Sequence, residues 1–259
     1  VEKPSSGPAL HPLTSESDMK VVEKRELARA VVLADEALLV ERKKSLEKLG
    51  LACKEISVSS DESNAASEIL RLSNEGMYDL IALGSRGIGG TRSFFLGSVS
   101  KVVVSSSRCS VLVSKMKRDS LQRILLAYDG SESSNRALSL VSDLAKKFGA
   151  TVRLVSVISS QMITGDFVVT SAIDRLDQEM RQYADKAVSD LRSLGISVED
   201  PKIVGASDIG YAINQEAEGG FYDLIVLGNR GWGKVKSFFL GSVASGVLDS
   251  ARTNVLVVK

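Results

Sequence analysis

The sequence is poor in the residues that most often carry catalytic or metal chemistry. Among 259 residues there are one histidine, two cysteines and one tryptophan. Lysine and arginine number 33 against 32 aspartate and glutamate residues, so the formal net charge is only +1. Proteins that bind nucleic acid through a broad basic surface carry a larger positive excess. We therefore expect no nucleic-acid partner, although one local anion site remains compatible with this composition.

The few reactive side chains do not form a recognisable site. Cys53 and Cys109 show no C-x-x-C spacing and no histidine nearby, which predicts small apolar residues in a reducing compartment. His11 lies in GPALHPLTSES, a stretch typical of a loop. No apolar run approaches the roughly 18–20 residues of a membrane span, and the first residues do not resemble a signal peptide. We expect a cytoplasmic protein, or the cytoplasmic part of a larger one.

One segment of the chain occurs twice. Residues 78–115 align without a gap on residues 222–259, at an offset of 144, and 23 of the 38 positions are identical. This period is far longer than that of solenoid repeats and matches a whole domain. We therefore predict two related domains, residues 1–115 and 123–259, joined by a polar linker over residues 116–122.

The second copy alternates strand and helix patterns. Apolar strands are predicted at 123–128, 151–158, 196–204, 222–228 and 254–259, and helices at 132–148, 171–194, 207–218 and 242–250. Such alternation predicts a parallel, doubly wound, Rossmann-like sheet with right-handed crossovers. Pro201 favours an edge position for the third strand.

The first copy matches the second only from its middle onward. Helices are predicted over about 17–49 and 62–76, with the strand CKEISV between them. Counterparts of the first strand and first helix are missing. Because the first strand is central in a doubly wound sheet, its absence would leave buried backbone groups unpaired. We expect residues matching 123–156 to precede Val1, or a strand to be supplied from elsewhere.

The repeated segment carries glycines at fixed spacing. The pattern G-x2-G-x9-G-S occurs as Gly84, Gly87, Gly97 and Ser98, and again as Gly228, Gly231, Gly241 and Ser242. Small residues before a helix N-terminus let a phosphate approach unpaired N–H groups. The alternative is that these are ordinary turn and cap glycines.

These motifs resemble the nucleotide-binding branch of the universal stress proteins. The resemblance rests on the glycine pattern after an apolar strand, on the closing VLVVK and on the opening RILLAYDGSESSNRAL. It implies an α/β fold with two tandem five-stranded sheets of order 3-2-1-4-5, the first lacking its first strand and helix. It also implies a stress-response module that binds ATP, or else ADP or AMP, with Mg as a companion of the nucleotide.

The resemblance also implies site residues in both copies. Asp129 would serve a ribose hydroxyl or a nucleotide-bound metal, and the backbone of Val157 would meet adenine. In the second copy the implied contacts are Ala127, Tyr128, Asp129, Val157, Gly228, Arg230, Gly231, Gly241, Ser242, Val243 and Ala244. In the first copy they are Gly84, Arg86, Gly87, Gly97, Ser98, Val99 and Ser100.

Several of these residues admit another interpretation. Arg86 and Arg230 would pair with phosphate or be solvated loop charges. Trp232 would stack on a ligand, or act as a lid or interface residue. Ala244 stands where the first copy has Ser100, so one hydroxyl near the phosphate is lost.

Three functions remain open on sequence alone. A nucleotide-binding sensor leads, as the resemblance implies. The sequence also shows no Ser-His-Asp set, no P-loop and no histidine-rich metal site. The others are slow hydrolysis of ATP by Asp129 with a metal, and an interaction scaffold in which the glycines only shape turns. The last strands, CSVLVSK and NVLVVK, are expected to pair as exposed edges. That pairing would make the chain an intrachain pseudo-dimer, and a homodimer of the whole chain is also compatible with the sequence.

Overall fold

The computed structural model describes residues 39–48, 50, 52, 64–85, 96–159, 170–232 and 240–259. The chain divides into two compact units, residues 1–61 and 62–259. In the first unit, helix α1 is described over residues 39–48. Gly50 follows it with a left-handed φ of 77°, a conformation common just after helix C-termini. The predicted strand CKEISV lies outside the described residues.

The second unit alternates strands and helices along the chain. Its helices are α2 (Ala65–Glu75), α3 (Ser98–Ser106), α4 (Glu132–Phe148), α5 (Thr170–Ser193), α6 (Ile209–Gly219) and α7 (Ser242–Ser250). Its strands are β1 (Leu80–Gly84), β2 (Ser110–Ser114), β3 (Arg123–Ala127), β4 (Thr151–Ser159), β5 (Lys202–Ala206), β6 (Leu224–Gly228) and β7 (Asn254–Val258).

The strands of the second copy form the predicted doubly wound sheet. The described strands run in the order β1-β2-β7-β6-β3-β4-β5, and the five from β3 to β7 are all parallel to one another. Numbered within the copy, their order is 3-2-1-4-5, as the sequence indicated. β5 lies at the edge after Pro201, although the predicted strand was longer. Before Pro201 only Val198 pairs, in an isolated bridge with Val152.

Local sequence sets the ends of helix α4. The Ser131 side chain accepts a hydrogen bond from the backbone N–H of Ser134 and so caps the first turn. Gly149 ends the helix with a φ of 67°, a conformation that costs little only for glycine. Glu132 in the first turn and Lys147 in the last turn complement the helix dipole.

The sheet separates two apolar layers. Alternate residues of the central strand face opposite sides, so Leu125 packs with one layer and Ile124 and Leu126 with the other. Helices α4 and α5 cover the side of Ile124, while α2, α3, α6 and α7 contribute to the side of Leu125. Because β6 lies between β3 and β7, its residues Leu224–Leu227 are buried on both faces.

The copies meet where β2 pairs with β7. This is the one antiparallel ladder among the described strands, and Leu112 lies opposite Leu256. These two leucines are equivalent positions of the repeat, so the pairing has local two-fold symmetry. The symmetry extends to two lysines: Lys115 Nζ donates to the Leu248 carbonyl at 2.5 Å, and Lys259 Nζ donates to the Val104 carbonyl at 2.8 Å. Lys115 thus places a cation at the C-terminal turn of α7, and Lys259 places one at the C-terminal turn of α3. The helix dipole favours a cation at both positions.

The protonation of Lys259 should make stability depend on pH. Burial, with a further contribution from the charge of Arg230, lowers the pKa of Lys259 from 10.5 to about 8. The unfolded chain therefore binds more protons than the folded chain between these values, so stability should rise with pH across that window. Urea midpoints of the parent and of Lys259→Met, measured from pH 7.5 to 10.5, check this. The difference between the two proteins should shift in favour of the parent as pH rises; a constant difference would contradict the assignment.

Helices α6 and α7 approach closely at two glycines. A Cβ on Gly210 would lie 2.9 Å from the backbone carbon of Gly246, whereas a Cβ on Gly246 would meet only ordinary contact at 3.7 Å. At the same contact, Asn214 Nδ2 donates to the Val247 carbonyl. The two helices therefore tolerate a side chain on one side of the contact and not on the other.

This asymmetry gives a matched pair of variants. Gly210→Ala should lower the free energy of unfolding by about 1–3 kcal/mol, since the helices must move apart. Gly246→Ala should be neutral or should stabilise by up to about 1 kcal/mol, because alanine favours a helix interior. Equal effects of the two substitutions in denaturant titrations would show that the glycines are not in contact.

Candidate functional site

A cavity opens at the carboxyl ends of β3 and β6. These neighbouring strands connect in opposite directions across the sheet, which is the position where doubly wound folds bind ligands. The cavity has a volume of about 910 Å³. Its lining includes all eleven residues expected in the second copy, from Ala127 to Ala244. The structure thus brings together segments that are more than 100 residues apart in the chain.

Helix α7 points its N-terminus into this cavity without a side-chain cap. Helices α2, α4 and α6 begin at Asn64, Ser131 and Asp208, whose side chains accept a hydrogen bond from the first turn. Helix α7 begins at Gly241, where no side-chain cap exists. Its first-turn N–H groups therefore remain available to an anion. The Gly241 N–H itself donates to the Asn229 carbonyl at 2.8 Å, which fixes the entry to the helix.

The glycines of the second copy's pattern lie where a side chain would collide with other parts of the protein. A Cβ on Gly228 would lie 2.1 Å from Ser133 Oγ, so this glycine allows α4 to approach β6. A Cβ on Gly231 would meet Asp129 Oδ2 at 2.7 Å, and one on Gly241 would meet the Asn229 carbonyl oxygen at 3.0 Å. The spacing therefore serves close packing as well as any approach of a ligand. From the sequence, the glycine spacing indicated a ligand site. The groups that each glycine packs against belong to other segments, so one segment alone does not predict them.

One aromatic residue, Tyr128, and one acidic residue, Asp129, directly follow the central strand β3. Asp129 Oδ1 accepts a hydrogen bond from the Ser131 N–H at 3.0 Å, which orients the carboxylate beside the N-terminus of α4. The Tyr128 ring is turned into the core, where its hydroxyl donates to Asn135 Oδ1 at 2.8 Å. Burial raises the pKa of Tyr128, and the negative charge of Asp129 adds to the effect. The phenol therefore stays neutral and structural at neutral pH.

Arg230 is the arginine on the cavity wall. Its Nε is buried and has no hydrogen-bond partner among the described residues. Its backbone N–H donates weakly to Ser133 Oγ at 3.4 Å. Arg230 thus contributes to the cavity wall, while its Nε is enclosed by the protein.

The first copy repeats part of this arrangement. Gly97 precedes α3 with φ −63° and ψ 154°, nearly the values of −65° and 154° at Gly241, and it also lacks a side-chain cap. Its N–H donates to the Ser85 carbonyl at 2.8 Å, as Gly241 does to Asn229. Ser98 and Val99 form the first turn after it. Arg86 and Gly87 lie outside the described residues.

Ser100 does not supply a free hydroxyl. Its Oγ is buried and donates to the carbonyl of Gly84 at 2.8 Å. The hydroxyl links α3 to β1, so its single proton is already used within the fold. The expectation that Ala244 costs the second copy a phosphate donor is therefore wrong: the substitution removes a helix–strand hydrogen bond.

Helices α5 and α6 also reach the cavity, which the sequence did not predict. Their contributions are Glu179, Met180 and Tyr183 from α5 and Ile209 and Ile213 from α6. The only sequence signal was the helical spacing of Glu179 and Tyr183, which are four residues apart. Such spacing indicates a shared helix face but not what that face covers.

The part of the chain that the structure describes has neither a cluster of metal-ligating side chains nor a helix able to span a membrane. No group of three or more histidine, cysteine, aspartate or glutamate side chains there is arranged to hold a metal ion. No described helix combines the length and apolar character needed to cross a bilayer.

Comparison with known families identifies the fold. The family model described as the universal stress protein family matches residues 6–115 and again residues 120–259. The chain belongs to the universal stress protein family. The two matches support the tandem arrangement that the repeat predicted.

Individual relatives agree with this family membership. A universal stress protein of Thermus aquaticus is 34% identical over 137 residues, covering 52% of this chain and 97% of that protein. One from Mycobacterium bovis is 27% identical over 250 residues, covering 90% of this chain and 75% of that protein. The crystal structure of a universal stress protein from Archaeoglobus fulgidus superposes with a TM-score of 0.60 at 25% identity, covering 95% of this chain and 80% of that one.

Proposed function

We propose that the second copy of this universal stress protein binds an adenine nucleotide and acts as a stress-response regulatory module. The observation that carries the proposal is the cavity at the ends of β3 and β6. In it the N-terminus of α7, which has no side-chain cap, and Arg230 line the same space as an apolar slot. An anion with an attached planar group fits this combination of surfaces.

Each part of the nucleotide has a counterpart in the cavity. Apolar side chains of β4, namely Val155, Val157 and Ile158, offer a slot for the base. The Asp129 carboxylate would accept hydrogen bonds from ribose hydroxyls. The first-turn N–H groups of α7, the Ser242 hydroxyl and Arg230 would hold phosphate.

A magnesium ion would enter with the nucleotide. Asp129 lies on the wall of the cavity that also contains the first turn of α7, and one carboxylate with substrate phosphates is a usual way of binding Mg²⁺. When bound, the ion would neutralise phosphate charge. Asp129 would hold it from the protein side.

The arrangement of the copies is part of the proposal. We propose domains at 1–115 and 123–259 that form an intrachain pseudo-dimer in the cytoplasm, supported by the β2–β7 ladder and by the reciprocal lysine contacts. In the first copy, Gly97 and Ser98 would hold phosphate in the same way, together with Gly84, Arg86 and Gly87.

Ser242 gives the sharpest test of the phosphate contact. Substitution of Gly241 would push a Cβ against the Asn229 backbone, so it would test folding rather than binding. Ser242→Ala removes one exposed hydroxyl and leaves the helix intact. The loss of a hydrogen bond to a charged group costs about 1.5–3 kcal/mol, so ATP affinity should fall roughly ten- to hundredfold. Titration calorimetry with ATP, ADP and AMP would measure it.

Ser245→Ala is the matched control. It removes a hydroxyl one turn further along α7, where Ser245 faces Asp249 and does not line the cavity. Its affinity should equal that of the parent. If Ser242→Ala also bound ATP as tightly as the parent, the phosphate assignment would be wrong. If the parent bound none of the three nucleotides, the scaffold alternative would replace the proposal.

A further inference from the structure

Two aromatic side chains from distant parts of the chain meet on the cavity wall. Tyr183 belongs to α5, and Trp232 follows β6. Their ring centroids lie 6.4 Å apart with the planes at 30°. Both side chains line the cavity. The contact therefore joins α5 to the segment after β6 on the cavity wall.

The turn after β3 contacts both members of this pair. Gly130 has a φ of 76°, and a Cβ there would lie 2.8 Å from Cδ2 of Tyr183. The Trp232 indole Nε1 donates to the Asp129 carbonyl oxygen at 2.8 Å. Three elements thus converge on one contact: α5, the segment after β6, and the turn that carries the Asp129 carboxylate.

The pair is not part of the apolar core. Trp232 is 64% exposed and Tyr183 is 38% exposed. Aromatic rings give large contact area at low entropic cost, so those left exposed beside a cavity are suited to binding. The indole is fixed at its edge by the hydrogen bond to Asp129, while much of its surface remains free.

We propose that Tyr183 and Trp232 are ligand-retaining residues, which close the cavity next to Asp129 and must separate before a bound nucleotide leaves. This inference rests on the proposed function, since it takes the ligand to be an adenine nucleotide. It adds helix α5 to the binding site. It also assigns the pair to the rate of release rather than to recognition of phosphate.

The kinetic consequence is specific. An aromatic pair contributes enough to slow an opening step roughly three- to tenfold. Tyr183→Ala and Trp232→Ala should raise the dissociation rate of ATP by that factor. Because the contact also exists without a ligand, the association rate should rise by a similar factor and the affinity should change little. Because the two side chains act as one contact, the double variant should release ATP only a little faster than either single variant.

Conservative variants separate the parts of the contact. Tyr183→Phe keeps the ring and should release ATP at the parent rate. Trp232→Phe keeps an aromatic surface but loses the N–H donor to Asp129, so its rate should be intermediate. Surface plasmon resonance of ATP over the immobilised full chain gives both rate constants. Because both side chains are exposed, urea midpoints should stay near that of the parent.

The contact itself has an independent readout. Trp232 is the only tryptophan in the chain, so its emission reports this site without a label. Tyr183→Ala should make Trp232 more accessible to acrylamide quenching without nucleotide, and ATP should protect Trp232 in the parent.

The outcomes distinguish this inference from the proposed function. If the parent binds ATP but both alanine variants release it at the parent rate, the retention role is wrong and the nucleotide site stands. A raised dissociation rate with an unchanged association rate would mean that the rings bind the nucleotide directly, and it would also overturn retention. If the parent binds no ATP in calorimetry, the proposed function fails, and the retention of a nucleotide fails with it.

Discussion

The parallel pairing of β3 with β6 is the constraint on which the site depends. Successive residues from Ile124 to Ala127 pair with Leu224 to Leu227. The connections from these two strands leave in opposite directions, so no crossover covers the space beyond their carboxyl ends. The Asp129 turn and the glycine-capped helix α7 face each other across that space. A shift of one residue in this register would turn every apolar side chain of the strand to the wrong layer.

The same pairing explains which features a single sequence could predict. Strand positions followed from apolar runs such as LLA at 125–127. The helix predicted at 132–148 has those bounds in the structure, because the signals that set its ends are local. The family resemblance then implied the strand order, and it implied that the residues from Ala127 to Ala244 form one site. The structure places these residues in one cavity. Tertiary partners were not predictable in this way. The hydrogen bond from the Ser100 hydroxyl to the Gly84 carbonyl joins two different elements, and so does the position of Tyr183 at the cavity wall. The residues next to Ser100 or Tyr183 in the sequence do not predict these partners.

The glycines show how one spacing meets two requirements. Gly228, Gly231 and Gly241 each lie where a Cβ would collide with Ser133, with Asp129 or with the Asn229 backbone. Two of these partners, Asp129 and Asn229, line the cavity, so a side chain at Gly231 or Gly241 would displace a group on its wall. The packing requirement is therefore compatible with a binding role. A side chain at any of these positions would alter the shape of the site by first altering the fold around it.

The ladder between β2 and β7 also bears on what happens if the connection between the copies is cut. Residues 116–122 are the direct covalent link, yet the copies are also held by backbone hydrogen bonds, by Leu112 against Leu256 and by two reciprocal lysines. A protease that cleaved this connection would leave two fragments joined through one continuous sheet. The halves of the molecule would then remain associated as a nicked complex, in which cleavage is visible on a denaturing gel but not in the size of the native particle.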